Sequence, residues 1–294
     1  MIKNSNDGSS STPYLSTDLN MRTLDSLPGF SVGPKMGSDE TSLYEIIQQV
    51  GYMGVQGGNQ EICKRLGLKT SGGGRVNKPN EADEIARVSK EEGNTCATLH
   101  VGWGMESDHE VDQLLDAILN ASEKHDHPLY IETHRATITQ DIWRTVEMVK
   151  RFPEMRFNGD FSHWYTGLEM PYGNIEEKFD FLNPVFERVR FIHGRIGNPG
   201  CIQVGIGQDN QSTYVLHFKE MWTRSMLGFL KSAKKGDFFS FNPEILKAEI
   251  YYARTIPDLN GHLVEESDRW QEALIYTDIA IGCWKEAEKR MAKE

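Results

Sequence analysis

The chain has little cysteine, no long apolar run and no excess of positive charge. Its four cysteines, Cys63, Cys96, Cys201 and Cys283, are far apart and form no CxxC pair. That excludes a local thiolate clamp or redox dithiol and reads as reduced thiols in a cytoplasmic protein. No stretch approaches the ~18 consecutive apolar residues of a membrane span, so no membrane association is expected. The opening MIKNSNDGSSSTP lacks an apolar h-region and is not read as a secretory signal. Residues 1–24 are polar and Ser-rich and read as a surface-draped tail. Lys and Arg number 32 against 43 Asp and Glu, a net charge of −11. The nearest thing to a basic run is Lys231, Lys234 and Lys235, a solvated helix face and its end. A surface of this sign repels phosphate backbones, so no nucleic-acid partner is expected. Gly72-Gly73-Gly74 is followed by no GK[ST] and reads as a plain flexible turn rather than a phosphate loop. No Cys–His or Ser–His–Asp order stands out for nucleophilic catalysis.

What is present is an alternation of short β-branched or aromatic runs with longer helical patterns, the signature of βαβ units and a parallel sheet. Strands are expected at Phe30–Val32, Gly54–Gln56, Leu68–Thr70, Thr95–Val101, Leu129–Thr133, Met155–Asp160, Val189–His193 and Asp237–Pro243. Helices are expected at Ser38–Val50, Gln60–Leu66, Asn80–Glu92, Asp108–Lys124, Thr139–Arg151, Glu176–Phe186, Val215–Ala233 and Glu265–Lys289. Eight strands with eight helical partners predict a (β/α)8 TIM barrel, one domain over residues 25–294, and barrels of this length are common as single units. A loop rich in Gly, Asn and Gln over 194–213 is long for a compact domain, which points to function.

Four successive strand ends carry an acid or an imidazole. LYIETHR ends its apolar part in Glu132, with His134 two residues on. RFNGDFSHW reaches Asp160, with His163 in the loop behind it. RFIHGRIG ends in His193, with Arg195 two on, and FFSFNPEI ends in Asn242 and Glu244. Strand residues two apart share a face, and the C-terminal ends of barrel strands are where barrel active sites are built. A lone Glu or His at a strand end is usually a solvated or rim residue; four in succession converge on one point. Burying three carboxylates together is costly without a cation, and one divalent metal ion resolves the cost. Three carboxylates and one imidazole suit Mn²⁺, Mg²⁺ or Co²⁺, with Zn²⁺ left open.

The IETH, GDFSH, FIHGR and NPE motifs, in this order on successive strands, resemble those of the xylose-isomerase-like TIM barrel superfamily. That superfamily includes sugar epimerases similar to D-tagatose 3-epimerase, inosose dehydratases and endonuclease IV. The resemblance covers roughly residues 25–294. It implies Glu132, Asp160, His193 and Glu244 as metal ligands, with Glu132 and Glu244 also flanking the substrate and moving protons. It implies substrate contacts for His163, in a D-x-x-H pattern, and for Arg195. The stretch between His193 and Glu244 is longer here than in the epimerases.

The chemistry also stands on the residues alone. A metal chelated by two vicinal sugar oxygens, one of them a carbonyl, acidifies the carbon-bound proton between them, and a nearby carboxylate takes it and returns it. Return to the other face is epimerisation, return to the neighbouring carbon is isomerisation, and loss of a β-leaving group is elimination. His100 and Trp103, in TLHVGWG, and His134 are further candidates for substrate contact, with His134 or Arg135 as alternatives for orienting Glu132. Trp164 is either a sugar-stacking ring or core.

The expectation is a divalent-metal-dependent isomerase or epimerase acting on a small carbohydrate. The rivals are a keto-glycoside lyase or deglycosidase, an endonuclease IV-like phosphodiesterase and a non-catalytic sugar-binding barrel. Barrels of this kind often assemble as homo-oligomers.

Overall fold

Eight parallel strands pair in chain order, and the eighth returns to the first to close a barrel. The computed structural model describes residues 1–35, 39–209 and 211–293. The barrel strands are β1 (Tyr14–Asn20), β2 (Gly54–Gln56), β3 (Lys69–Val76), β4 (Ala97–Val101), β5 (Leu129–Glu132), β6 (Phe157–Asn158), β7 (Val189–Gly194) and β8 (Phe238–Pro243). Around them run α1 (Glu40–Gln49), α2 (Gln60–Leu66), α3 (Glu81–Glu91), α4 (Asp108–Lys124), α5 (Ile142–Arg151), α6 (Ser162–Gly167), α7 (Ile175–Phe186) and α8 (Thr213–Leu230), with α9 (Arg269–Met291) after β8. This is the expected (β/α)8 TIM barrel. Among the described residues no helix is long and apolar enough to cross a membrane.

Local chemistry sets the element ends. Ser107 and Glu110 form a capping box at the start of α4, and Asp268 caps α9 through the Trp270 amide. Strand β8 shows how one sequence faces two environments. Phe239 and Phe241 point outward onto Phe229 and Trp222 of α8, at ring separations of 5.5 and 4.8 Å. Ser240 and Asn242 turn inward, towards Asp18 of β1. The apolar core therefore lies between barrel and helices, and the lumen is polar.

The polar lumen explains the main correction. Phe30–Val32 is not a strand: Pro28 and Pro34 bracket it, and Phe30 and Val32 are 50% and 70% exposed. The first strand is Tyr14–Asn20, inside the segment expected to be a tail. Its Ser16, Asp18 and Asn20 are buried, and read in sequence they have the composition of a loop. The residues before it are tied down too. The Ile2 side chain is buried, Ile2 N–H donates to the Glu154 carbonyl (3.2 Å), and Phe238 N–H donates to the Ser5 carbonyl (3.0 Å). This segment closes the N-terminal face of the barrel.

Gly72-Gly73-Gly74 is likewise strand rather than turn. It pairs with Ala97–Leu99 inside β3. A Cβ on Gly72 would stand 2.9 Å from Ser89 Oγ, and one on Gly74 would stand 2.9 Å from Ile85 Cδ1, so the glycines let α3 pack directly against the strand. The expected helix start at Ser38 lies outside the described residues, as do Asn210 in the expected loop and Glu294. Two elements escaped the sequence pattern: the short α6 and a hairpin of β9 (Thr255–Pro257) and β10 (Leu263–Glu265) between β8 and α9.

Candidate metal centre at the barrel mouth

Strand β5 ends in Glu132 and β7 carries His193 one residue before its end. Asp160 lies two residues past β6, and Glu244 lies one residue past β8. Closure of the barrel brings these four side chains together. They are buried, and one donor atom from each lies within 4.8 Å of the others. His193 Nδ1 is 3.3 Å from Glu132 Oε2 and 3.6 Å from Glu244 Oε2.

Amide side chains hold the cluster in place. His193 Nε2 contacts Gln56 Oε1 at 2.7 Å, which turns Nδ1 towards the carboxylates. Asn20 Nδ2 donates to Gln56 Oε1 (2.9 Å) and to Glu244 Oε1 (3.1 Å). Asn158 Oδ1 accepts the His193 backbone N–H (3.0 Å), and its Nδ2 donates to Glu132 Oε2 (3.2 Å). Sequence reasoning missed Asn20, Gln56 and Asn158. The available signal was the one used for the acids, a polar side chain at the C-terminal end of a strand.

Arg195 is fully buried. Its Nε donates to Asp160 Oδ2 (3.2 Å), one Nη to Gln203 Oε1 (3.2 Å) and the other to Glu244 Oε2. Gln203 lies in the 194–213 loop and also bonds the backbone of Leu246 in both directions, so that loop folds in behind the site. The Tyr252 ring covers the guanidinium at 4.4 Å.

The histidines expected around the site form a stack. The rings of His100 and His134 are 4.3 Å apart, and those of His134 and His163 are 3.7 Å apart. His100 Nε2 is 3.2 Å from Glu132 Oε1. His134 makes no hydrogen bond to Glu132; its Nδ1 meets the Arg135 carbonyl instead. His163 Nε2 is 3.4 Å from Asp160 Oδ2, beyond a good hydrogen bond, and neither ring nitrogen has a hydrogen-bond partner. Trp103 is half exposed and its ring lies 4.0 Å from the Arg75 guanidinium. Trp164 is wholly buried, with Nε1 donating to the Thr139 carbonyl (2.7 Å), and is a core residue.

The cluster behaves as an acidic hole that needs positive charge. Burial alone would raise the Glu132 carboxyl, but the charge of His193 and hydrogen bonds from His100 and His193 hold it well below the usual carboxylate range. Burial opposes ionisation of Asp160 as well, and Arg195 and His163 outweigh it and keep its pKa low. Burial would lower the His193 imidazole, yet Glu244 and Glu132 push it up to about 9. Three carboxylates thus face one guanidinium and one imidazole that takes up a proton. Three buried oxygen ligands and a pre-aimed imidazole nitrogen at this spacing fit a hard divalent ion, which would take the place of that proton.

A cavity of about 340 Å³ opens above the cluster, lined by Glu132, His193 and Glu244 with His100, Arg22 and Arg75. Gln56 and Thr98 also face it, so polar side chains surround it. Its volume lies at the small end of ligand sites. Larger hollows lie on the outside of the barrel, away from this chemistry.

No protein-family model matches the sequence, and no curated protein matches it. Solved structures do match it. A xylose isomerase-like TIM barrel protein from Mycobacterium smegmatis in complex with magnesium is 9% identical with a TM-score of 0.55, covering 93% of this chain and 97% of that one. A sugar phosphate isomerase/epimerase from Parabacteroides distasonis is 11% identical with a TM-score of 0.52, covering 90% of this chain and 96% of that one. A probable 3-DHS dehydratase from Bacillus anthracis, involved in petrobactin synthesis, is 13% identical with a TM-score of 0.51, covering 80% of this chain and 94% of that one. The chain has the fold of the xylose isomerase-like TIM barrels, as the strand-end motifs led us to expect.

Proposed function

We propose that the protein is a divalent-metal-dependent sugar isomerase or epimerase that abstracts a proton next to a carbonyl–hydroxyl pair of a sugar or keto-sugar. The observation that carries this reading is the convergence of Glu132, Asp160, His193 and Glu244 at the barrel mouth, where all but Asp160 line a small cavity. These four residues would hold the ion. When bound, a divalent ion supplies Lewis-acid polarisation of the sugar oxygens and so lowers the barrier to enolisation. Magnesium in the Mycobacterium smegmatis protein of the same fold agrees with an oxygen-rich donor set.

In this reading the chain's own groups do the proton work. Glu132 and Glu244 both reach the cavity; His100 and Asn158 hold the two oxygens of Glu132, and Asn20 and Arg195 hold those of Glu244. One takes the carbon-bound proton and the other returns it from a different direction. His100 lines the cavity and touches the substrate. Arg195 stands behind the carboxylates and fixes Asp160 and Glu244, with His163 lying 3.4 Å from Asp160 Oδ2. Trp103, stacked on Arg75, shapes the rim. Departure of a leaving group β to the abstracted proton would make the same site a lyase, so products distinguish the two. His100 and His134 form a second potential ligand group with Glu132. A phosphodiesterase would use it, and the net charge of −11 argues against a nucleic-acid substrate.

The test is deuterium exchange from D2O into free ketoses and 3-keto-glucosides with added Mn²⁺. Metal-dependent label that Glu244→Gln abolishes supports the reading, and the labelled carbon names the reaction. A bound metal with no label in any substrate of the panel would refute it.

A further inference from the structure

The opposite, N-terminal face of the barrel carries a second cavity, of about 770 Å³. Its lining includes Lys3, Lys90, Arg156, Arg190 and Lys234, five cations on a chain whose net charge is −11. Two carboxylates, Asp126 and Asp237, also face it. Asp126 is taken by Lys3 at 2.5 Å. Asp237 is occupied by the side-chain amides of Asn4 and Asn6 and by the Lys234 backbone N–H. Five positive charges against two negative ones leave an excess of three.

Arg156 and Arg190 are more than nine-tenths buried, 7% and 2% exposed. Among the described residues neither forms an ion pair with a carboxylate. Arg190 is held by neutral partners only: Asn4 Oδ1, Ser232 Oγ and the carbonyls of Glu187 and Val189. Arg156 spends one Nη on the carbonyls of Pro153 and Met155, at 3.1 and 2.7 Å. Among the described residues its Nε is buried without a partner and its other Nη makes no hydrogen bond. Burial and the neighbouring guanidinium together pull Arg190 down to about 9, and burial followed by Arg188 pulls Arg156 down to about 10. Two buried like charges without a counter-ion are costly. A buried guanidinium with uncommitted N–H groups beside an ammonium group is an arrangement that recognises a phosphoryl group.

We infer that this cavity is an anion site, separate from the metal centre, that binds a dianionic phosphoryl group against Arg156, Arg190 and Lys234. The volume exceeds that of inorganic phosphate, so a phosphorylated small molecule fits as well as the free ion.

The test uses the full chain, with inorganic phosphate and glucose 6-phosphate as probes at ionic strength held constant with NaCl, read by thermal shift and calorimetry. The inference predicts saturable stabilisation by phosphate beyond that of NaCl. Arg156→Gln should weaken it about tenfold or more, the effect of losing a charge-assisted contact. Among the described residues Lys234 hydrogen-bonds through its backbone alone, so Lys234→Gln should fold normally and still weaken binding several-fold. It serves if Arg156→Gln does not fold. Tighter binding of glucose 6-phosphate than of phosphate identifies an esterified ligand, and equal binding identifies the free anion. Stabilisation no greater than with NaCl, or wild-type affinity in both variants, overturns the inference.

Discussion

Replacing Arg195 with methionine removes the guanidinium that bonds the carboxylate cluster while keeping most of the side-chain volume. The guanidinium is 1% exposed and bonds Asp160, Gln203 and Glu244. Without it, two buried carboxylates lose their partner, and breaking a buried ion pair from one side costs about 3–5 kcal/mol. At roughly 2–4 °C per kcal/mol for large domains, the melting temperature in EDTA should fall by roughly 6–20 °C. A divalent ion compensates the same carboxylates. Added Mn²⁺ should therefore stabilise the variant more than the wild type, and the gap between them should narrow. A hundredfold excess over the dissociation constant contributes about 2.7 kcal/mol, enough to recover much of the loss. The assay is thermal unfolding followed by circular dichroism, with wild type and Arg195→Met each measured in EDTA and in Mn²⁺. A loss below about 1 kcal/mol in EDTA, or an equal deficit in both conditions, would refute the charge-compensation argument.

Gln56→Leu removes the acceptor that orients His193 Nε2; Mn²⁺ affinity should fall about 10–100-fold by titration calorimetry, with the fold intact. His127 is buried against Ser89 Oγ (2.9 Å), and burial, with the charge of Lys90, lowers its imidazole to about 4 from 6.5. The unfolded chain then binds a proton between those pH values that the folded chain does not. Its contribution is full above pH 6.5 and is lost as the pH falls towards 4, roughly 3 kcal/mol in all, and His127→Gln should flatten the stability–pH curve in that window. Gly74→Ala places a Cβ 2.9 Å from Ile85 Cδ1 and should lower stability by about 1–3 kcal/mol in thermal unfolding, through displacement of α3.

The second half of the barrel was legible because β5, β7 and β8 are largely apolar runs with an acid or an imidazole at or just past the end. Hydrophobic burial on the helix side and chemistry on the mouth side are written into the same few positions. The first strand was not legible because a polar lumen inverts the usual signal. Ser16, Asp18 and Asn20 are buried inside the barrel, and Leu15 and Leu19 are its only aliphatic residues. Phe30 and Val32 mimic a strand in composition, yet the flanking prolines and glycines hold them in a turn. The glycines of β3 were misread for a related reason, since close helix–strand packing and a loose turn call for the same residue. At the site, the ligand-type residues were legible from their positions. The amides of Asn20, Gln56 and Asn158 were not, because neutral side chains carry no charge pattern and their value appears only once the barrel closes around them.

The most direct test of the account is a calorimetric titration of Mn²⁺ into the EDTA-stripped full chain, for wild type, Asp160→Asn and His193→Gln. One equivalent per chain in the wild type, with affinity lost by at least about a hundredfold in either variant, is the predicted result. Absence of saturable binding, or wild-type affinity in both variants, would contradict a metal centre built from Glu132, Asp160, His193 and Glu244.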